Sequence, residues 1–243
     1  MHDEEIRYTS GGITMHGRSY WNQAENGPRP GVLVFPGASG LIEQTKEAAA
    51  RLADAGYVTL ACDYYGEGYG PGASDEELLA LYESLKSDPL TLRSRAQAAL
   101  AALAAHPEVD SSRIGAIGFC FGGATALELA CAGAPLAVVI GFHTSVASVT
   151  LSDARNIVGR ILICNGDEDP IAPSPERAQF ESAMRDASVR WQLVVYGGVV
   201  HAFTDPTGGR LRDPKLGRYD RWAAEDSWQA MRRLLNDELP VRP

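Results

Sequence analysis

The chain has 243 residues, 45% of them hydrophobic, and its 22 basic against 31 acidic side chains leave a net charge of −9. That length suits one α/β domain over residues 1–243 with a large core, because single cores stop growing near ~250–300 residues. The acidic balance argues against nucleic acid as a partner, and the longest apolar runs fall far short of the ~20 residues of a membrane span.

In chain order, Ile6 to Trp21 reads as two short strands around the Gly11-Gly12 turn, paired antiparallel at a sheet edge, and Gly27-Pro28-Arg29-Pro30 as a surface turn. Gly31 to Pro36 is a continuous apolar run, the kind buried on both faces of a parallel sheet. Leu41 to Ala55 has helical periodicity and ends at Gly56; Tyr57 to Cys62 is a second buried strand. Tyr64 to Ala73, with four glycines and a proline, must be loop. Helical stretches follow over Asp75 to Lys86 and Thr91 to Ala105, split at Pro89. Arg113 to Phe119 and Pro135 to Phe142 are strands flanking a helix that begins just after Cys120. Arg160 to Cys164 and Arg190 to Tyr196 are two more, separated by a helix over Pro175 to Ala187, and an amphipathic helix spans Ala223 to Leu239. Buried strands alternating with helices predict a mostly parallel sheet covered on both faces, with ligands beyond the carboxyl ends of its strands.

Met1 to Glu5 is acidic and lacks the apolar region of a signal peptide. Cys62, Cys120, Cys131 and Cys164 are scattered with no Cys-x-x-Cys pair, which reads as reduced thiols in a cytoplasmic protein. No metal is expected: Asp167-Glu168-Asp169 lacks a histidine at ligand spacing. Oligomeric state is not readable.

The chemistry concentrates at Gly118-Phe119-Cys120-Phe121-Gly122-Gly123, where a strand stops and a helix starts. This is the layout of a nucleophile elbow with cysteine in place of serine. Side chains at Gly118 and Gly122 would collide with neighbouring backbone, and the turn sets the Cys120 sulfur at a helix N-terminus, where the dipole favours thiolate. A thiol nucleophile needs a base and the base an orienting acid. Of five histidines, His201 follows a strand through the flexible Gly197-Gly198 loop at the carboxyl edge and can swing over the elbow; His143, also at a strand end, reads as a pocket wall. Asp169 is the expected acid and Asp167 the other candidate, both just past the strand ending at Cys164. The order Cys120, Asp169, His201 is the nucleophile–acid–base order of α/β-hydrolases. The oxyanion donors should be the backbone N–H groups of Phe121 and Ala38, and Gly37, Tyr64, Tyr65, His143 and Phe203 would line the acyl pocket.

The elbow, the Gly166 to Pro173 acid loop, His201-Ala202-Phe203, Asp63-Tyr64-Tyr65-Gly66 and the stretch Tyr219 to Leu235 together resemble the dienelactone hydrolase family over nearly the whole chain. The resemblance implies an α/β-hydrolase fold and a cofactor-free Cys-His-Asp hydrolase of small-molecule esters or lactones, with the triad aspartate on Asp169. It also marks departures. Where the best-known members carry a glutamate that engages the resting cysteine, Gly37 stands here. Where they carry arginines for a substrate carboxylate, this chain has Asp205 and the pair Leu78-Leu79. A less anionic substrate is therefore expected. The alternatives are a non-catalytic ligand-binding or thiol redox-sensing domain, or acyl or thioester transfer on the same fold; a sensor needs neither Asp169 nor His201.

Overall fold

The Gly11-Gly12 turn, with φ of 58° and 79°, joins two nine-residue strands, β1 (His2–Ser10) and β2 (Ile13–Trp21), paired antiparallel. β1 begins four residues before the predicted Ile6, and β2 ends at Trp21 as predicted. The computed structural model describes residues 1–22, 27–66, 73–207 and 213–241. Most of the predicted 64–73 loop, residues 67–72, lies outside them. Arg29 and Pro30, expected in a surface turn, are the buried first residues of β3 (Arg29–Phe35).

After β3 come α1 (Glu43–Asp54), β4 (Val58–Ala61), α2 (Asp75–Ser87), α3 (Pro89–Ala104), β5 (Val109–Phe119) and α4 (Phe121–Cys131). The rest is β6 (Val138–Phe142), α5 (Leu151–Ala154), β7 (Arg160–Gly166), α6 (Ser174–Asp186), β8 (Trp191–Tyr196) and α7 (Arg221–Glu238). Local chemistry sets the helix starts. Ser74 and Glu77 form a reciprocal capping box at α2, and Asp88 caps α3, whose first residue is Pro89. Pro89 thus begins the second helix as well as ending the first. The one-turn α5 carries too little periodicity to be read from sequence.

The eight strands lie in the order β1-β2-β4-β3-β5-β6-β7-β8; the β1–β2 and β2–β4 pairs are antiparallel, the others parallel. Alternate side chains feed two cores. Val32 and Val34 pack with Leu52 of α1 and Met231 and Leu235 of α7. Leu33 and Phe35 point the other way, to the core holding Leu85, Leu103, Leu127 and Phe180 of α2, α3, α4 and α6. The chain leaves β3 for β4 on one side and returns to β5 on the other. That reversal opens a crevice beyond the carboxyl ends of β3 and β5, where such sheets bind ligands.

Candidate active site

At the end of β5 the backbone turns sharply: Cys120 has φ 53° and ψ −118°, and α4 starts at the next residue. A left-handed φ on a non-glycine residue is strained by ~1–3 kcal/mol. Backbone packing fixes the turn. A Cβ at Gly118 would lie 2.1 Å from the Gly122 carbonyl, and one at Gly122 would lie 2.3 Å from the Phe35 carbonyl oxygen. Hydrogen bonds hold the cysteine itself: its N–H donates to the Phe142 carbonyl (2.9 Å), and its carbonyl accepts from the Thr144 hydroxyl (2.8 Å). Thr144 is bolted in turn to Asn165, which exchanges two hydrogen bonds with its backbone.

His201 and Asp169 meet this cysteine. The His201 Nδ1 lies 2.8 Å from the Asp169 Oδ2, which leaves Nε2 for the hydrogen bond to the Cys120 sulfur. Asp169 is buried, and its Oδ1 accepts from the Ile171 N–H (2.8 Å). Asp167, the other candidate, points away into an ion pair with Arg177 at 2.9 Å. His201 does not ride on a swinging loop as expected. Its N–H donates to the Leu216 carbonyl and its carbonyl accepts from the Arg218 N–H.

Burial alone would raise the Cys120 thiol. The hydrogen bond and charge of His201, with the backbone N–H groups of Phe121 and Ala38, outweigh it and hold the thiol below its ordinary pKa. Burial would lower His201, but Asp169 and the Cys120 sulfur raise it to about 10. The two shifts are reciprocal, each group favouring the charged form of the other. The two expected oxyanion donors thus converge on the sulfur.

Gly37 and His143 line a cavity of about 360 Å³ with Ile42, Leu78, Leu79, Tyr82, Phe119 and Ile171, above Cys120 and His201. The expected walls Tyr64, Tyr65 and Phe203 are not among the lining residues; all three are buried behind them. The tyrosines serve the loop after β3 instead. The Tyr64 hydroxyl bonds the Pro36 (2.9 Å) and Gly37 carbonyls, and the Tyr65 hydroxyl donates to the Ala38 carbonyl (2.8 Å). This fixes the loop that aims the Ala38 N–H. Phe203 packs its ring against His143 (centroids 5.2 Å apart). Leu78 and Leu79, which the resemblance set at a substrate-contacting position, do line the cavity; sequence reasoning missed Tyr82, one helical turn on along the same face of α2. It also missed Thr204, whose Oγ1 lies 2.7 Å from the His143 Nε2.

Among the described residues no group of three or more His, Cys, Asp or Glu side chains is placed to hold a metal ion. Among them, too, no helix is long and apolar enough to cross a membrane.

A parallel sheet with this elbow at its switch point defines an α/β-hydrolase. Residues 17–239 match the model of the dienelactone hydrolase family, and the chain belongs to that family, whose members hydrolyse ester bonds. It is 40% identical, with a TM-score of 0.92 over 98% of both chains, to the structure of a dienelactone hydrolase-like promiscuous phosphotriesterase from metagenomic libraries. A dienelactone hydrolase from Anabaena variabilis shares the fold at 20% identity and a TM-score of 0.71 over 98% of both chains. A Bradyrhizobium protein named as a probable 2-oxo-3-(5-oxofuran-2-ylidene)propanoate lactonase is 29% identical, matching 83% of this chain and 81% of its own.

Proposed function

We propose that the chain hydrolyses carboxylic esters or lactones through an acyl-cysteine intermediate. The Cys120 thiolate attacks the acyl carbon, and the N–H groups of Ala38 and Phe121 receive the developing oxyanion. The His201 imidazolium protonates the leaving alkoxide. With the sulfur acylated, His201 has lost one of the partners that raise its pKa, and as a neutral base it takes a proton from water. Water attacks the thioester, and Cys120 departs as thiolate. Asp169 holds the ring tautomer and supports the imidazolium. Removing one oxyanion donor costs ~2.7–4 kcal/mol in comparable sites.

The carrying observation is the continuous chain from Asp169 through His201 to Cys120, since a redox sensor has no need of a carboxylate-oriented base. The substrate we infer is less anionic than a dienelactone: no lysine or arginine is among the described residues lining the cavity. The test is burst and steady-state hydrolysis of p-nitrophenyl butanoate by wild type, Cys120→Ala and His201→Ala. A burst lost in Cys120→Ala and slow acylation in His201→Ala support the reading; equal rates in all three overturn it.

The 40%-identical phosphotriesterase favours a second reaction at the same thiolate, attack on an uncharged phosphotriester. Release of p-nitrophenolate from a diethyl p-nitrophenyl phosphate, present in wild type and absent in Cys120→Ala, is its expected sign.

A further inference from the structure

We propose that Asp205 is the specificity-determining residue of this site, and that it selects esters or lactones bearing a hydrogen-bond donor, a hydroxyl or an ammonium, on the acyl group. The inference rests on the hydrolase reading above and names its substrate class.

Asp205 lines the same cavity as Cys120, His143 and His201, and only 8% of it is exposed. It is fixed by a short turn: its N–H donates to the Ala202 carbonyl at 3.0 Å. Its Oδ1 is fully used, accepting from the Thr207 N–H (2.8 Å) and the Thr207 hydroxyl (2.7 Å). Its Oδ2 accepts no hydrogen bond from any described residue. That oxygen is not among the buried polar atoms sealed off without a partner, so it stays accessible from the cavity and open to water or to a substrate donor. Asp205 shares the cavity with the apolar Ile42, Leu78, Leu79, Phe119 and Ile171 and with a second carboxylate, Asp75. A substrate that supplies a donor replaces the water at this oxygen with a hydrogen bond, an alkyl isostere displaces the water and replaces nothing, and a substrate carboxylate adds repulsion. The neighbouring Cys120–His201 pair carries no net charge to offset it.

Methanethiosulfonates probe this without requiring ester turnover. The Cys120 thiolate attacks the reagent's sulfenyl sulfur, a mixed disulfide forms, and methanesulfinate leaves. Cys62, Cys131 and Cys164 are buried, so labelling reads Cys120. Second-order rates, divided by those of a free thiol, would be measured with the ethyl, hydroxyethyl, aminoethyl and sulfonatoethyl reagents. Wild type should favour the hydroxyethyl and aminoethyl reagents over ethyl by roughly tenfold, with sulfonatoethyl slowest. An advantage for both donors marks hydrogen bonding; an advantage for aminoethyl alone marks charge attraction at the same carboxylate. In Asp205→Asn the donor-to-ethyl ratio should collapse toward one. No donor preference in wild type, or the same preference in folded Asp205→Asn, overturns the proposal. A parallel series of methyl butanoate, methyl 3-hydroxybutanoate, methyl 3-aminobutanoate and monomethyl succinate should follow the same order in kcat/KM. If none of these esters turns over while the labelling order holds, the hydrolase reading fails and the selectivity of the cavity stands.

Discussion

His143 and His201 stand edge to face with ring centroids 4.9 Å apart, and their surroundings push their protonation in opposite directions. His201 is raised by Asp169 and the Cys120 sulfur, whereas burial and the charge of His201 hold His143 well below the usual histidine pKa. One ring is held toward its charged form beside the Cys120 sulfur; the other is held toward its neutral form in the cavity wall.

An acid-side stability loss follows from His143. The unfolded chain takes up a proton near pH ~6.5 that the folded chain refuses, so stability falls as pH drops below that value by up to ~1.4 kcal/mol per unit. His143→Phe keeps the ring contacts but loses the bond to Thr204, at a cost of about 1–3 kcal/mol near neutral pH. Urea denaturation at pH 7.5 and 5.0 should show wild type losing more stability between the two than the variant does. Equal losses would contradict the assignment.

The Cys120–His201 pair sets a second pH dependence. The raised His201 gives stability complete below ~6.5 and lost as pH rises to about 10. The lowered Cys120 gives stability complete above the ordinary thiol value of ~8.5 and lost as pH falls through its folded pKa. Iodoacetamide should therefore alkylate Cys120 at pH 7 faster than it does a free thiol. In His201→Gln the pH profile of alkylation should move to higher pH.

Asp169 and Asp167 separate cleanly. Asp169→Asn removes the acceptor that orients the His201 Nδ1–H, and turnover should fall ~10²–10⁴-fold, by analogy with the ~10⁴-fold effect in a serine triad. Asp167→Asn breaks the ion pair between exposed Asp167 and buried Arg177, which keeps its bonds to the Gly166 and Ala172 carbonyls, and should cost stability with little change in rate. Steady-state kinetics on both variants decides between the two carboxylates.

Backbone strain at the elbow is measurable without any substrate. Glycine relaxes at the φ of 53° that Cys120 adopts, and alanine does not. Both variants lack the thiol, yet Cys120→Gly should be more stable than Cys120→Ala by about 1 kcal/mol in denaturant melts. The reverse order would mean that the turn is relaxed.

The parts of this molecule legible in the sequence are those where one residue type answers one local demand. Gly118 and Gly122 announce the elbow because a Cβ at either would strike backbone. The apolar run of β3 announces a central strand because both its faces are covered. The wall of the cavity was less legible, because an aromatic after a strand looks the same whether its ring faces a ligand or its hydroxyl holds a loop. Tyr64 and Tyr65 do the second, and only tertiary contacts with Pro36, Gly37 and Ala38 reveal it. The division of labour between the Asp205 oxygens is likewise a fact of three dimensions: sequence gives the carboxylate but not which of its two oxygens Thr207 occupies.

The two hydrogen bonds that tie the His201 backbone to Leu216 and Arg218 carry a further consequence. The strand-like bridge beside Gly217 leads within a few residues to Asp220, the cap of α7, whose N–H bonds the Phe203 carbonyl. The imidazole is thus part of the tertiary frame. The entropy of placing it is lost once, at folding, and not again at each turnover.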